Sequence, residues 1–360
     1  MLKRKQIIER LARDIGRLCR QLGRPVRFMH ICGTHEHTIA RFGLRSLMPG
    51  VRIIAGPGCP VCVCPQSDID RVIACAEQGR HILTFGDMMR VPGSAGSLLD
   101  AKAKGAAVQV VMGPQDALRI AMRHPDRSYV FFAVGFETTA APVAAAILSR
   151  QPDNLAYYMS MRYVPVGVDT LLAQGRLVLD GMIVPGHASI MSGLKPYADM
   201  ARRYKVPACV SGFEPEDVCL SVKRLLQALR DQTYAICNTY ERVVSFPGNP
   251  QAIAVMHKVF QRRPAQWRGI GTIDDSGYAF RPPFAHLAVS KHLDLPEAAA
   301  ESLPPGCLCH QVILGQKEPE ECPLFGRACL PEQPVGPCMV SLEGSCRIRY
   351  QYPAAGRDVY

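Results

Sequence analysis

Short runs of β-branched and apolar residues recur about every 20–30 positions over the first two-thirds of the chain, at 27–31, 51–55, 81–85, 108–112, 129–134, 155–160, 181–184 and 208–211. Segments with helical spacing lie between most of them, at 67–78, 114–123, 142–149, 169–179, 195–204 and 215–229. Several open on Ser, Asp or Pro, residues suited to helix starts. Strands alternating with helices imply parallel sheets covered on both faces. The chain has 360 residues, about half of them apolar, enough for two or three cores. The spacing predicts an α/β protein with two doubly wound parallel-sheet domains, at 25–125 and 126–246, in preference to one large sheet. A helix over 1–24 carries Ile7, Ile8, Leu11, Ile15, Leu18 and Leu22 on one face, and we expect it to pack on the C-terminal domain.

In open α/β sheets, ligands sit at the carboxyl ends of strands, and the reactive residues of this chain fall there. Cys32-Gly33-Thr34-His35-Glu36-His37-Thr38 follows the first run. A soft thiolate and two imidazoles form a donor set for iron or zinc, and Glu36 could orient one of the histidines. The plain alternative is a buried cysteine followed by a polar loop. Gly56-Pro57-Gly58-Cys59-Pro60-Val61-Cys62-Val63-Cys64-Pro65 follows the second run. Its C-x-x-C pair can close a small disulfide or bind metal through two thiolates, as in a structural zinc half-site. A helix starting at Ser67 would lower a thiol pKa there. Gly86-Asp87, Gly135-Phe136-Glu137, Pro185-Gly186-His187 and Gly212-Phe213-Glu214-Pro215 end later runs. Glu137, His187 and Glu214 share strand-end positions, although their spacing does not by itself make them a catalytic set.

From about 247 the pattern changes. A helix is expected at 251–262, then a loop-rich region rich in Pro and Gly with six cysteines, Cys307, Cys309, Cys322, Cys329, Cys338 and Cys346. The N-terminus shows no apolar stretch of the secretory kind, and we expect a cytoplasmic protein, where thiols stay reduced or hold metal. Cys307, Cys322, Cys329 and Cys346 are spaced C-x14-C-x6-C-x16-C. Four thiolates converging from loops suit an iron–sulfur cluster. Zinc accepts four thiolates too, but usually from two short C-x2–4-C knuckles, which are missing. Spacing alone leaves open whether Cys309 or Cys338 replaces a neighbour as ligand.

The net charge is +11, yet residues 1–24 hold eight Lys/Arg against Glu9 and Asp14, so much of the excess is one solvated helix face. With no zinc finger, RNA-binding motif or basic tract interleaved with aromatics, we expect no nucleic-acid partner. No apolar run approaches the length of a membrane span. Phosphate-loop, dinucleotide and serine-elbow motifs are absent.

Six motifs in the same order resemble the HypD family of hydrogenase maturation factors: C-G-T-H-E-H-T (32–38), G-P-G-C-P-V-C-V (56–63), G-F-E-T-T (135–139), P-G-H-A-S (185–189), G-F-E-P (212–215), and E-C-P-L-F-G-R-A-C through G-P-C-M-V-S-L-E-G-S-C (321–346). The resemblance implies two Rossmann-like domains and a third, iron–sulfur domain over 247–360 with a [4Fe-4S] cluster. It implies a scaffold that assembles the Fe(CN)2CO unit of [NiFe]-hydrogenase with a small chaperone, HypC, and a cyanide donor, HypE, and so serves the hydrogenase large subunit. By motif match, Cys32 is the iron-ligating thiol, shared with a cysteine of HypC, and His35 lies beside it. Cys59 and Cys62 match the redox pair, and Cys307, Cys322, Cys329 and Cys346 the cluster ligands. Glu137, His187 and Glu214 fall within the remaining motifs. Three departures stand out: Cys64 where a hydroxyl residue is expected, His310 in place of a glycine, and the basic end Arg347-Ile348-Arg349. Cys64 leaves open which thiol partners Cys62. Two rival readings remain, a cluster-linked protein disulfide reductase and a zinc-stapled interaction protein.

Overall fold

The computed structural model describes residues 2–297 and 303–353. Its strands are β1 (Val26–His30), β2 (Val51–Ala55), β3 (His81–Thr84), β4 (Val108–Val110), β5 (Tyr129–Gly135), β6 (Leu155–Met161), β7 (Gly181–Pro185), β8 (Ala208–Ser211), β9 (Ile236–Asn238), β10 (Phe260–Trp267) and β11 (Gly271–Phe280). One sheet runs β2-β1-β7-β8-β9 and another β4-β3-β5-β6, and every pairing in both is parallel. β5 is buried at all seven positions, as a strand sheathed by helices on both faces must be. The fold is thus a mixed α/β architecture with two parallel sheets, consistent with Rossmann-like units.

Each expected run forms a strand, but the strands divide between sheets otherwise than a cut near residue 125 would place them. β1 and β2 pair into the sheet of β7–β9, while the second sheet is built from β3–β6. The chain lays down two strands of one sheet, builds the whole of the other, then returns. Runs of equal spacing carry no signal for such a crossover, because only non-local pairing decides it.

Two helices start earlier than their periodicity indicates. One spans Val164–Ala173, with Pro165 in its first turn, and the other spans Glu137–Ser149, with Pro142 inside it. Pro142 lacks an N–H and so forgoes one helical bond, a loss this buried helix accommodates. The helix expected at 251–262 is Pro250–Val259. It runs directly into the β10–β11 hairpin, which the loop-rich reading of 247 onward missed. A register shift between Arg263 and Ala265 interrupts the period-two pattern by which a strand is recognised.

The N-terminal helix Leu2–Leu22 does not pack on the C-terminal region. Ile15 and Leu18 bury against Val218, Val222, Leu225 and Leu226 of the helix Pro215–Arg230. Lys223 holds Asp14 at 2.7 Å, and Arg4 holds Glu214 at 2.8 Å and Glu216 at 3.0 Å. Its partner offers a long apolar stripe flanked by the carboxylates its basic face needs. Among the described residues no helix is long and apolar enough to cross a membrane.

Candidate functional site

Both sheets reverse strand order at a switch point, where crevices form: between β1 and β7 in one, between β3 and β5 in the other. Cys32 follows β1. It precedes the helix Gly33–Arg41 in an extended conformation, φ −163° and ψ 130°, which sets its thiol over the helix N-terminus. The amides of His35 and Thr34 bond the sulfur, but burial, aided by the Glu343 carboxylate, outweighs them and pushes the thiol up to about 11. A free Cys32 therefore stays protonated at neutral pH, and a cation placed there would supply the charge that makes it a thiolate.

His35 is fully buried. Its Nε2 stands 3.3 Å from the Ser211 carbonyl and 3.1 Å from that of Gly212, so Nε2 carries the proton and donates. Nδ1 is left without a partner among the described residues, with its lone pair free. Burial pulls the ring down to about 3, so it is neutral. Phe213 lies between the His35 and His187 rings, at 4.9 and 4.2 Å. His37 turns away from this group to Tyr352 Oη at 3.3 Å.

Glu36 does orient a histidine, but a different one. Its Oε2 lies 2.6 Å from His30 Nε2 and accepts from Arg45 Nη2 at 2.6 Å, while His30 Nδ1 bonds the Cys32 carbonyl at 3.0 Å. His30 thus braces the Cys32 carbonyl, and Arg45 holds the Glu36 carboxylate that meets His30. Sequence reasoning passed over both; the one available signal was a histidine inside an apolar strand, which calls for a buried partner.

The C-x-x-C loop presses on the same backbone. A Cβ on Gly58 would stand 2.7 Å from the Cys32 Cα. Cys59 and Cys62 are joined by a disulfide with Cα atoms 5.3 Å apart, and the Cys62 amide donates to Cys59 Sγ at 3.2 Å. Both residues are buried. Cys64 is unbridged. Its sulfur meets Ser160 Oγ at 3.4 Å, beside Asp68 and Arg162, and burial pushes it up to about 12. Arg268 hooks this loop to the hairpin, donating from its amide to the Val63 carbonyl at 2.9 Å and from Nε to the Cys64 carbonyl at 2.7 Å.

All six C-terminal cysteines are buried. Cys309 shares hydrogen bonds with Cys307 and Cys338, and Cys338 with Cys346. Cys329 interacts with Cys307 and Cys322. Backbone amides point at the sulfurs, Val335 N to Cys329 and Cys346 N to Cys338, both at 3.3 Å. Among the described residues no three His, Cys, Asp or Glu side chains are spaced to grip one metal ion. The donor set, thiols alone with amide N–H groups aimed at sulfur, fits an iron–sulfur cluster, whose ligands stand further apart than those of a single ion.

The segment that carries Cys338 and Cys346 joins the two switch points. Asp87, after β3, accepts from Ser341 Oγ at 2.9 Å and from the Leu342 amide at 3.1 Å. Two residues on, Glu343 meets Thr34 Oγ1 at 3.4 Å. Glu137, after β5, is fully buried. Its Oε1 accepts from the Val164 amide at 3.2 Å, Oε2 has no partner among the described residues, and burial raises the carboxyl to about 7. Tyr197, fully buried, is raised well above its ordinary value, chiefly by burial. Glu214 stands apart: it is exposed, caps the helix Pro215–Arg230 and pairs with Arg4.

Thus Cys32, His35, His187, the Cys59–Cys62 pair and the six-cysteine cluster converge where the two sheet edges meet. The profile of the HypD family, described as "Hydrogenase formation hypA family", matches residues 6–353. The hydrogenase maturation factor HypD of Rhodobacter capsulatus is 43% identical, over 96% of this chain and 95% of its own. That of Rhizobium leguminosarum bv. viciae is 40% identical, over 95% and 93%, and that of Cupriavidus necator 38%, over 96% and 94%. Matched almost end to end by such relatives, the chain belongs to the HypD family of hydrogenase maturation factors.

Proposed function

We propose that the cleft between the two sheets is where the Fe(CN)2CO unit of [NiFe]-hydrogenase is put together, with Cys32 holding the iron as cargo. The observation that carries this reading is the setting of Cys32. It is a single, partly exposed thiol at a helix N-terminus, flanked by a neutral His35, a buried disulfide and a bed of thiols. Low-spin iron with CN and CO ligands calls for soft donors and shelter from water; the Cys32 thiol would supply the first, and the buried His35 and Cys59–Cys62 loop beside it the second. Neutral His35, its Nε2 proton directed at the Ser211 and Gly212 carbonyls, would border the iron without adding charge, and the proton that Cys32 loses on binding iron would leave to solvent.

Cys59 and Cys62 would cycle between dithiol and disulfide, giving two electrons to the assembling centre. Cys307, Cys322, Cys329 and Cys346 would hold a [4Fe-4S] cluster, which supplies electrons one at a time when bound. Glu137, with a carboxyl near neutrality, would exchange protons behind the site, and His187 would line its entrance. Partners under this reading are a HypC-type chaperone that shares the iron, a HypE-type cyanide donor and, downstream, the hydrogenase large subunit, all in the cytoplasm. A protein disulfide reductase fits less well, because Cys59 and Cys62 are both buried and offer no face to a protein disulfide.

Complementation tests the proposal. In a cell lacking its own factor of this family, the wild-type chain should restore [NiFe]-hydrogenase activity and Cys32→Ala should not. Restoration by Cys32→Ala at the wild-type level would refute it.

A further inference from the structure

The chain holds a second pair of neighbouring thiols, remote in sequence from the motifs above. Cys209 on β8 and Cys237 on β9 are register partners in a parallel pair. Adjacent strands lie about 4.7–4.9 Å apart, and disulfides span Cα separations of about 4.4–6.8 Å, so two register partners on one face can be bridged without moving backbone. The side chains meet on the face covered by the helix Pro215–Arg230, where Cys209 is fully buried and Cys237 packs at the margin. The two thiols interact across the strand pair, and the Arg224 guanidinium and Glu241 carboxylate lie near Cys237. Thr239 Oγ1 stands 3.9 Å from Cys209 Sγ, with Ser221 behind it at 2.7 Å from Thr239.

We propose that Cys209 and Cys237 form a peroxide-responsive dithiol site, with Cys237 the attacking and Cys209 the resolving thiol. The pair divides the roles by its surroundings. Cys237 is half-exposed; the interaction with Cys209 and the charge of Arg224 lower it to about 6. Burial raises Cys209, which stays a thiol. Cys219, in the same cluster, is raised to about 12 by burial and is a bystander. The Cys237 thiolate attacks one oxygen of hydrogen peroxide: an S–O bond forms, the O–O bond breaks, and the leaving hydroxide takes a proton from solvent to become water, giving a sulfenic acid. The Cys209 sulfur then displaces the sulfenic hydroxyl, its proton leaving with the second water. Two thiols are oxidised by two electrons and one peroxide is reduced to two waters. The bond locks β9 to β8 just before Tyr240, whose ring packs edge-on against Phe213 at 6.0 Å, so the lock reaches the aromatic wall between His35 and His187.

Full-length protein is reduced, treated with about one equivalent of peroxide, alkylated and digested with trypsin. Peptide 206–223, with Cys209 and Cys219, should be joined to peptide 231–242, with Cys237. Cys219→Ser should keep the link. Cys209→Ser should lose it and leave a dimedone-reactive sulfenic acid at Cys237. Should Cys209→Ser fail to fold, the half-exposed Cys237→Ser serves: the chain should then consume one equivalent less peroxide. Recovery of Cys237 fully alkylated from oxidised wild type, a link that survives in Cys209→Ser, or undiminished peroxide consumption by Cys237→Ser would each overturn the proposal.

Discussion

Gly33 lies against Glu343: a Cβ on Gly33 would stand 2.9 Å from the Glu343 Cα. One contact thus joins the Cys32 helix to the segment between Cys338 and Cys346. Glycine is required on the other side as well, where Gly58 meets the Cys32 backbone. The backbone at Cys32 and Gly33 is therefore clamped between the C-x-x-C loop and the segment between Cys338 and Cys346.

Gly33→Ala and Gly58→Ala should each destabilise the fold by about 1–3 kcal/mol, the range for overpacking a rigid site. Gly16→Ala should instead stabilise it by about 0.5–1 kcal/mol, since Gly16 sits within the N-terminal helix and its nearest atom is the flexible Arg20 guanidinium at 3.7 Å. Urea midpoints at constant slope check all three, and equal effects would contradict the clamp.

Glu36→Gln should destabilise by about 3 kcal/mol, the lower end for breaking a buried pair, because Arg45 is partly exposed while Glu36 and His30 are not. Burial alone would raise the Glu36 carboxyl, but Arg45 and His30 hold it far below its ordinary 4.5. A lowered carboxyl contributes stability that is present above 4.5 and lost as pH falls below it. Wild type should therefore lose its advantage over Glu36→Gln progressively as pH drops from 4.5. Parallel stability curves for the two proteins below pH 4.5 would contradict this.

Glu137 has the opposite sign. Its folded value, about 7, lies above the ordinary 4.5, so between these values the native state holds a proton that the unfolded chain has released, and stability falls as pH rises. Glu137→Gln should match wild type near pH 4.5 and exceed it by up to about 3 kcal/mol at pH 8, the equivalent of that shift. Stability curves at the two pH values check it; a constant difference between the proteins would show that the carboxyl does not titrate there.

Anaerobically prepared protein should contain about four iron and four labile sulfide per chain, as a [4Fe-4S] cluster requires. Cys322→Ser and Cys329→Ser should lose both elements together, whereas Cys32→Ala should keep them. Absence of labile sulfide from wild type would remove the cluster from the account.

The sequence revealed more of the strands than of their arrangement. β5 and β6 were visible because a buried parallel strand is a continuous apolar run. The return of β7–β9 to the sheet of β1 was hidden, since long-range pairing leaves no local trace. Cys32, the Cys59–Cys62 pair and the cysteine cluster could be picked out because thiols placed among Gly and Pro are seldom ordinary packing residues. His30 and Arg45 could not, because their importance lies in a buried carboxylate reached only after folding. Glu214 looked like its neighbours at other strand ends, and its place as the cap of the helix Pro215–Arg230 and partner of Arg4 is visible only in the fold.

The most direct measurement is infrared spectroscopy of the anaerobically purified chain mixed with a HypC-type chaperone, the partner proposed above. The account predicts CN and CO stretching bands from low-spin iron in the wild-type complex, and their loss in the Cys32→Ala complex. Bands of undiminished intensity in Cys32→Ala would contradict the assignment of Cys32 as the anchor.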